Sequence, residues 1–199
     1  CHPYIFCYVY SVIRLYRAES HMNPQETAAP GITFNDQALL EKCRKIELLN
    51  QELYTRFAET YHDVPEAVYL WRKTAVEEQN HAEQFTLALK LKKGLQMNST
   101  IPLDTADKLI TRLNTIIEGL PSKTLSLLDA LEFAIKLEQY LVKFHISCVA
   151  TFTDASFQKL FNAMMKSDQD HIAAIEALHK KVAAEAAMSS LLSPDPEKG

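Results

Sequence analysis

Glu78-Gln79-Asn80-His81 and Asp168-Gln169-Asp170-His171 are the two stretches of this 199-residue chain on which its fold turns. Each is a carboxylate-x-x-His pair, and residues three apart in a helix lie on one face. Each pair also interrupts an apolar stripe. A lone carboxylate precedes each of them: Glu47 stands 31 positions before Glu78, and Glu138 stands 30 positions before Asp168. The offsets between corresponding residues are 91 (47 to 138), 90 (78 to 168) and 90 (81 to 171), so one half-site is written twice. The repeat predicts that Glu47, Glu78, His81, Glu138, Asp168 and His171 converge near the middle of a helical bundle, with the halves related by an approximate two-fold axis.

The periodicity around these residues is helical throughout. A first helix over about 34 to 62 carries Leu39, Cys43, Ile46, Asn50, Leu53 and Phe57, with Glu47 and Tyr54 on the same face. A second, about 65 to 93, carries Trp71, Ala75, Glu78, Ala82, Phe85 and Leu89 with His81 adjoining; Pro65 suits its first turn, and Lys90, Lys92 and Lys93 suit its last. Asp104 to Glu118 form a short helix inside a connection long enough to run the length of a bundle. The third bundle helix, about 124 to 151, follows Leu128, Leu131, Ile135, Glu138, Val142, His145 and Val149. The fourth, about 154 to 187, follows Phe157, Phe161, Met164, Asp168, His171, Ile175 and Leu178. Gly94 and Gly119 each close a periodic segment, and no stretch alternates as a strand does. The expected fold is all-α: a four-helix bundle over 34–187 with a long crossover containing a short helix between helices 2 and 3.

The flanks differ. Residues 1–22 read as a cloning-derived or accessory extension: Tyr4 to Tyr16 are aromatic and apolar but too few to span a membrane, Ser20-His21-Met22 looks like a vector scar, and Met22 is the expected natural start. Residues 23–33 read as a linker and 188–199, with Pro194 and Pro196, as a loose tail. A net charge of -4 with no basic stripe argues against nucleic acid as a partner. Cys1, Cys7, Cys43 and Cys148 contain no Cys-x-x-Cys pair, which excludes a zinc ribbon or rubredoxin-type iron site. Cys43 and Cys148 fall on apolar stripes as small buried hydrophobes, which points to a cytoplasmic location.

Ionised carboxylates in a helical core are costly unless they take up protons or meet a cation. Four of them with two histidines call for positive charge, and carboxylate oxygens with neutral imidazole suit iron or manganese. Glu77, Glu83 and Asp170 fall off the stripes and are expected on the solvated face. His62 and His179 lack partners in the pattern, and Met164 and Met165 are expected to fill core.

Over about 34 to 185 the chain resembles the rubrerythrin-like branch of the ferritin-like di-iron carboxylate superfamily. The resemblance rests on Ile46-Glu47 through Tyr54-Thr-Arg-Phe-Ala58, Glu77-Glu78-Gln-Asn-His81-Ala82, Ala130-Leu-Glu-Phe-Ala-Ile-Lys-Leu-Glu138 and Asp168-Gln-Asp-His171. It implies two metal ions, most simply iron, with manganese or a mixed pair left open. Glu47 and His81 would serve one, Glu138 and His171 the other, and Glu78 and Asp168 would bridge them. It also implies that Tyr54 hydrogen-bonds a ligand carboxylate. His145 stands seven after Glu138, where a tyrosine would mirror Tyr54, and is expected as a supporting hydrogen-bond donor or as a pH-sensitive neighbour of the site. Three departures are visible: Asp168 replaces the usual Glu and is one methylene shorter, Ile135 stands where rubrerythrins carry an additional carboxylate, and a rubredoxin-like domain is missing.

The function expected is a non-haem oxidoreductase acting on oxygen or hydrogen peroxide, of peroxidase, oxidase or ferroxidase type, fed by a separate electron donor, with no membrane span and a homodimer left open. The alternatives are an iron-handling or sensor protein with little turnover, and a bundle whose metal is structural.

Overall fold

The computed structural model describes residues 32–91, 97, 101–120, 125–149 and 154–192, with the side chains of 148, 149 and 190–192 outside that description. The expectations for residues 1–22, for most of the 23–33 linker, for Gly94, for the Cys148 side chain and for the tail beyond 192 therefore lie outside the described residues. Within them the chain is all-helical: α1 Phe34–Thr60, α2 Pro65–Lys90, α3 Leu103–Gly119, α4 Leu127–Val149 and α5 Ala155–Leu192. No strand element occurs among the described residues, and no helix is long and apolar enough to cross a membrane.

Local chemistry explains the helix starts. Thr33 caps α1 in a reciprocal box, its hydroxyl accepting from the Asp36 N–H while the Asp36 carboxylate accepts from the Thr33 N–H. Ser126 and Asp129 repeat the same exchange at α4. Asp154 accepts from the Ser156 and Phe157 N–H groups at α5. Pro65 opens α2, where the missing N–H costs no helical hydrogen bond. α5 continues to Leu192, past the expected end at 187.

Pairwise contacts give the arrangement. Arg44 meets Thr86 and Tyr54 meets Trp71, so α1 and α2 are antiparallel. Glu66 meets Lys181, Glu77 meets His171 and Phe85 meets Phe161, so α2 and α5 are antiparallel. Glu138 lies near His171 and His145 near Asp168, which does the same for α5 and α4. Tyr54 to Glu138 and Glu47 to His145 close the ring between α4 and α1. α2 and α4 thus run in one direction, and the chain between them must travel the length of the bundle. α3 lies in that connection, laying Ala106, Leu109, Leu113 and Ile117 against α1, with Asp107 paired to Lys42.

The core is built from the stripes read in the sequence, with corrections in α2, where Leu89 near the helix end is only half-buried, and in α4. In α1 and α5 every stripe residue is buried. In α4 the stripe residues Leu128, Ile135 and Val142 are only half-buried, while Ala130, Ala134, Leu137, Leu141 and Phe144 are buried instead. Packing between α5 on one side and α1 on the other rotates and widens the inward arc beyond what a seven-residue repeat predicts. Phe85 and Phe161, both fully buried with ring centroids 4.9 Å apart, tie α2 to α5 beside the polar cluster. Phe161→Ala is expected to lower unfolding free energy by about 3–5 kcal/mol, because it removes a large core side chain and leaves a cavity; urea denaturation followed by far-ultraviolet circular dichroism measures this.

A carboxylate and histidine cluster between four helices

One cross-section of the bundle collects the polar residues. Glu47 comes from α1, Glu78 and His81 from α2, Glu138 and His145 from α4, and Asp168 and His171 from α5; all are at most 3% exposed. All but His145, which lies one turn before the end of α4, project from the interior of their helices, where backbone groups are satisfied and only the side chains are left to be neutralised. Two groups of three emerge, Glu47 with Glu78 and His81, and Glu78 with Glu138 and His171, and within each group the ligand atoms lie within 4.8 Å of one another. Glu78 belongs to both. Its Oε2 is 3.5 Å from His81 Nδ1 and its Oε1 is 3.3 Å from His171 Nδ1.

Asp168 sits differently. Its Oδ1 lies 3.5 Å from His81 Nδ1, and its Oδ2 is 2.9 Å from His145 Nδ1 in a hydrogen bond. The short side chain ends on the His81 side and joins neither group of three. His145 also brings Nε2 to 2.7 Å from Glu47 Oε1, a close but poorly aligned contact. Tyr54 donates its hydroxyl to Glu138. The supporting contacts are therefore reciprocal: the residue seven after Glu47 holds Glu138, and the residue seven after Glu138 faces Glu47. Tyr54 in turn stacks on Trp71, with centroids 5.6 Å apart and planes 6° from parallel.

Glu77, expected on the solvated face, instead meets a cluster histidine. Its carboxylate, 21% exposed, lies 2.7 Å from His171 Nε2 and 3.8 Å from Lys73. Glu77 reaches across the α2/α5 seam while Glu78, about 100° round the helix, points inside. Engaging Nε2 from outside directs Nδ1 inward, the orientation that a ligating imidazole needs. The adjacent Glu77-Glu78 pair was the available signal, but only the position of α5 shows which partner Glu77 meets. Glu83 and Asp170 are exposed as expected, His62 is exposed, His179 is half-buried, Met164 is buried and Met165 half-buried.

The protonation pattern shows how the cluster balances its charge. Burial and the neighbouring Glu78 push the Glu138 carboxyl up to about 8. Burial likewise raises Glu47 well above the carboxylate range, against the pull of His145. For Glu78, burial acts upward, but hydrogen bonds to His171 and His81 outweigh it and hold the group well below its usual value. Burial lowers His171, yet Glu77 and Glu78 together raise it to about 11, and Glu47 and Asp168 similarly keep His145 protonated against its burial. Protons thus occupy positions that a cation could fill.

The side-chain atoms fit metal ions. Glu47 Oε1 and Oε2, Glu78 Oε1, His81 Nδ1 and His171 Nδ1 are buried without a well-formed hydrogen bond. Carboxylate oxygens and imidazole nitrogens facing one interior point are a donor set for divalent first-row metals. Comparison of the chain with protein-family models, with curated proteins and with solved structures gives no match, so the functional reading rests on this geometry.

Two ionisations set an expected pH response. Glu138, raised from 4.5 to about 8, and His171, raised from 6.5 to about 11, each bind more protons folded than unfolded. His171 therefore contributes stability that is fully present below 6.5 and lost as pH rises through about 11, and Glu138 imposes a penalty that grows from 4.5 to about 8. Metal-free protein should melt at progressively lower temperature between pH 6.5 and 8. Over the same interval the stabilisation by a fixed concentration of Mn(II) should grow, since the metal displaces those protons. Differential scanning calorimetry with and without chelator tests both slopes; parallel curves would disprove the exchange of protons for metal.

Proposed function

We propose that the protein is a dinuclear metal carboxylate protein of ferritin-like architecture, a non-haem di-iron oxidoreductase that reduces oxygen or hydrogen peroxide. The observation that carries this reading is the sharing of Glu78 between two buried carboxylate and histidine groups. The antiparallel ring of α1, α2, α5 and α4, with a connection running lengthwise between the parallel α2 and α4, supports the ferritin-like part.

Glu47, Glu78 and His81 would hold one ion, and Glu78, Glu138 and His171 the other. A pair of iron ions bound there supplies two one-electron redox centres side by side, suited to two-electron reduction of a small oxidant. The chain's own residues fix and insulate that centre. Tyr54 holds the Glu138 carboxylate, Glu77 orients His171, and His145 positions Asp168 and faces Glu47. Phe85, Phe161 and Trp71, all fully buried, keep bulk water from the cluster and so strengthen its internal electrostatics. With no cysteine-based redox motif in the chain, electrons would come from a separate donor.

A second reading, in which the metal is structural or merely held, draws on Asp168: its engagement by His145 leaves each ion three protein ligands, one of them shared. Fe(II) loading separates the two. Sustained consumption of oxygen or peroxide supports the oxidoreductase, whereas metal-dependent melting without turnover supports the structural metal.

The shared carboxylate yields a stoichiometry test. Elemental analysis of the parent should give about two metal ions per chain, Glu138→Gln should retain roughly one, and Glu78→Gln should fall below one because both positions lose a ligand. Equal losses in the two variants would refute the sharing of Glu78.

A further inference from the structure

The metal reading leaves one buried polar group of α1 unexplained. Asn50 is 0% exposed, and neither its amide nitrogen nor its amide oxygen meets a hydrogen-bond partner among the described residues. It stands three residues after Glu47 and four before Tyr54, so the three side chains share the inward face of α1, with Asn50 about one turn from each of the other two. Burying an amide with no partner is unfavourable, and chains seldom retain such a group in a core without use for it.

The internal repeat supplies a control for this position. The offset of 91 that carries Glu47 onto Glu138 and Tyr54 onto His145 carries Asn50 onto Leu141, which is 1% exposed. Leucine, with the branching and heavy-atom count of asparagine, thus occupies the equivalent place in the other half. Packing at this depth does not require polarity, and this one position beside the cluster is polar on α1 but apolar on α4.

We propose that the Asn50 amide is the docking group for a small ligand with hydrogen-bond donor and acceptor on adjacent atoms, the chemical class of hydrogen peroxide, held on the α1 side of the cluster only. The amide presents an N–H donor and a carbonyl acceptor side by side, which matches the O–H and the neighbouring oxygen of a peroxide. Dioxygen has acceptors alone and satisfies only half of the amide. Asn50 therefore discriminates in favour of peroxide, and Leu141 gives the opposite side no competing polar contact. This assignment rests on the di-iron reading above.

The test uses the whole chain loaded with Fe(II) and the variant Asn50→Leu, which copies the other half of the molecule. Each peroxide takes one electron from each of two Fe(II) ions and two protons from solvent, and its O–O bond breaks to give two waters. With metal stoichiometry unchanged, Asn50→Leu should raise the half-saturating peroxide concentration about tenfold, the loss of a hydrogen-bonded contact. The rate at saturating peroxide and the rate with dioxygen should stay within about twofold, because neither depends on docking at the amide. Asn50→Ser, which keeps a donor and an acceptor, should recover to within about threefold of the parent.

A second readout needs no turnover. Metal-free Asn50→Leu should melt at or above the parent's temperature, since an unpartnered amide is replaced by an apolar group of similar size. If Asn50→Leu does not fold, Asn50→Ala carries the same kinetic expectation. An unchanged half-saturating concentration in a fully loaded variant overturns the docking role and leaves the metal reading standing. A clearly lowered metal-free melting temperature overturns it as well, by showing the amide to be structural. A parent that binds no metal overturns the di-iron reading and the docking role together.

Discussion

Four carboxylates buried in one layer of a helical bundle are the constraint to which the remaining structure answers. Taken from water, Glu47, Glu78, Glu138 and Asp168 would repel one another and lose their hydration, and the apolar packing above and below the layer cannot offset that unless positive charge enters. The described residues place no lysine or arginine beside them. Three histidines take that place, and the ionisation pattern has two of them carrying protons well above their usual range while two of the carboxylates keep theirs. A cluster that must gather protons in this way is also one whose groups could hold metal ions in their place, so the same burial that makes the layer costly makes it a candidate ligand set.

The helices are braced to each other through this layer. Tyr54 on α1 reaches Glu138 on α4, and His145 on α4 reaches Glu47 on α1, so the two halves of the repeat support one another rather than themselves. The brace is unequal. A tyrosine hydroxyl satisfies one carboxylate, whereas His145 has two nitrogens and also takes hold of Asp168, which leaves Glu78 alone between the two groups. Glu77 adds a contact from the rim, where a partly exposed carboxylate can hold an imidazole without carrying the full desolvation cost of the interior. The reciprocal contacts therefore join two sides of different chemistry, and Asn50, with Leu141 at the equivalent place of the repeat, continues the same asymmetry beside them.

Much of this was written in the local pattern. Helical periodicity marked five segments, and prolines and capping residues set their limits close to those observed, because these are effects of a few neighbouring residues. The spacing of Glu47, Glu78, His81, Glu138, Asp168 and His171 marked them as inward-facing, since the three-residue and seven-residue intervals of a helix are enough to place side chains on a face. The repeated offset near 90 could be counted directly. In α4 periodicity alone misplaces the inward face, because the arc a helix buries depends on two neighbours: Ile135 and Val142 are half-buried, whereas Leu137 and Leu141 are buried.

What the chain by itself determined is therefore one-dimensional: which segments are helical, which residues share an inward face, and that one half-site occurs twice. Only the tertiary structure decided which faces meet. It set Tyr54 against Glu138 rather than Glu47, gave Asp168 to His145, brought Glu77 over the α2/α5 seam onto His171, and left Asn50 without a partner among the described residues. The physical reason is that these contacts join residues 23 to 94 positions apart, so their partners depend on the order of helices around the ring and on where a connection crosses it. Periodicity within a helix carries no information about either.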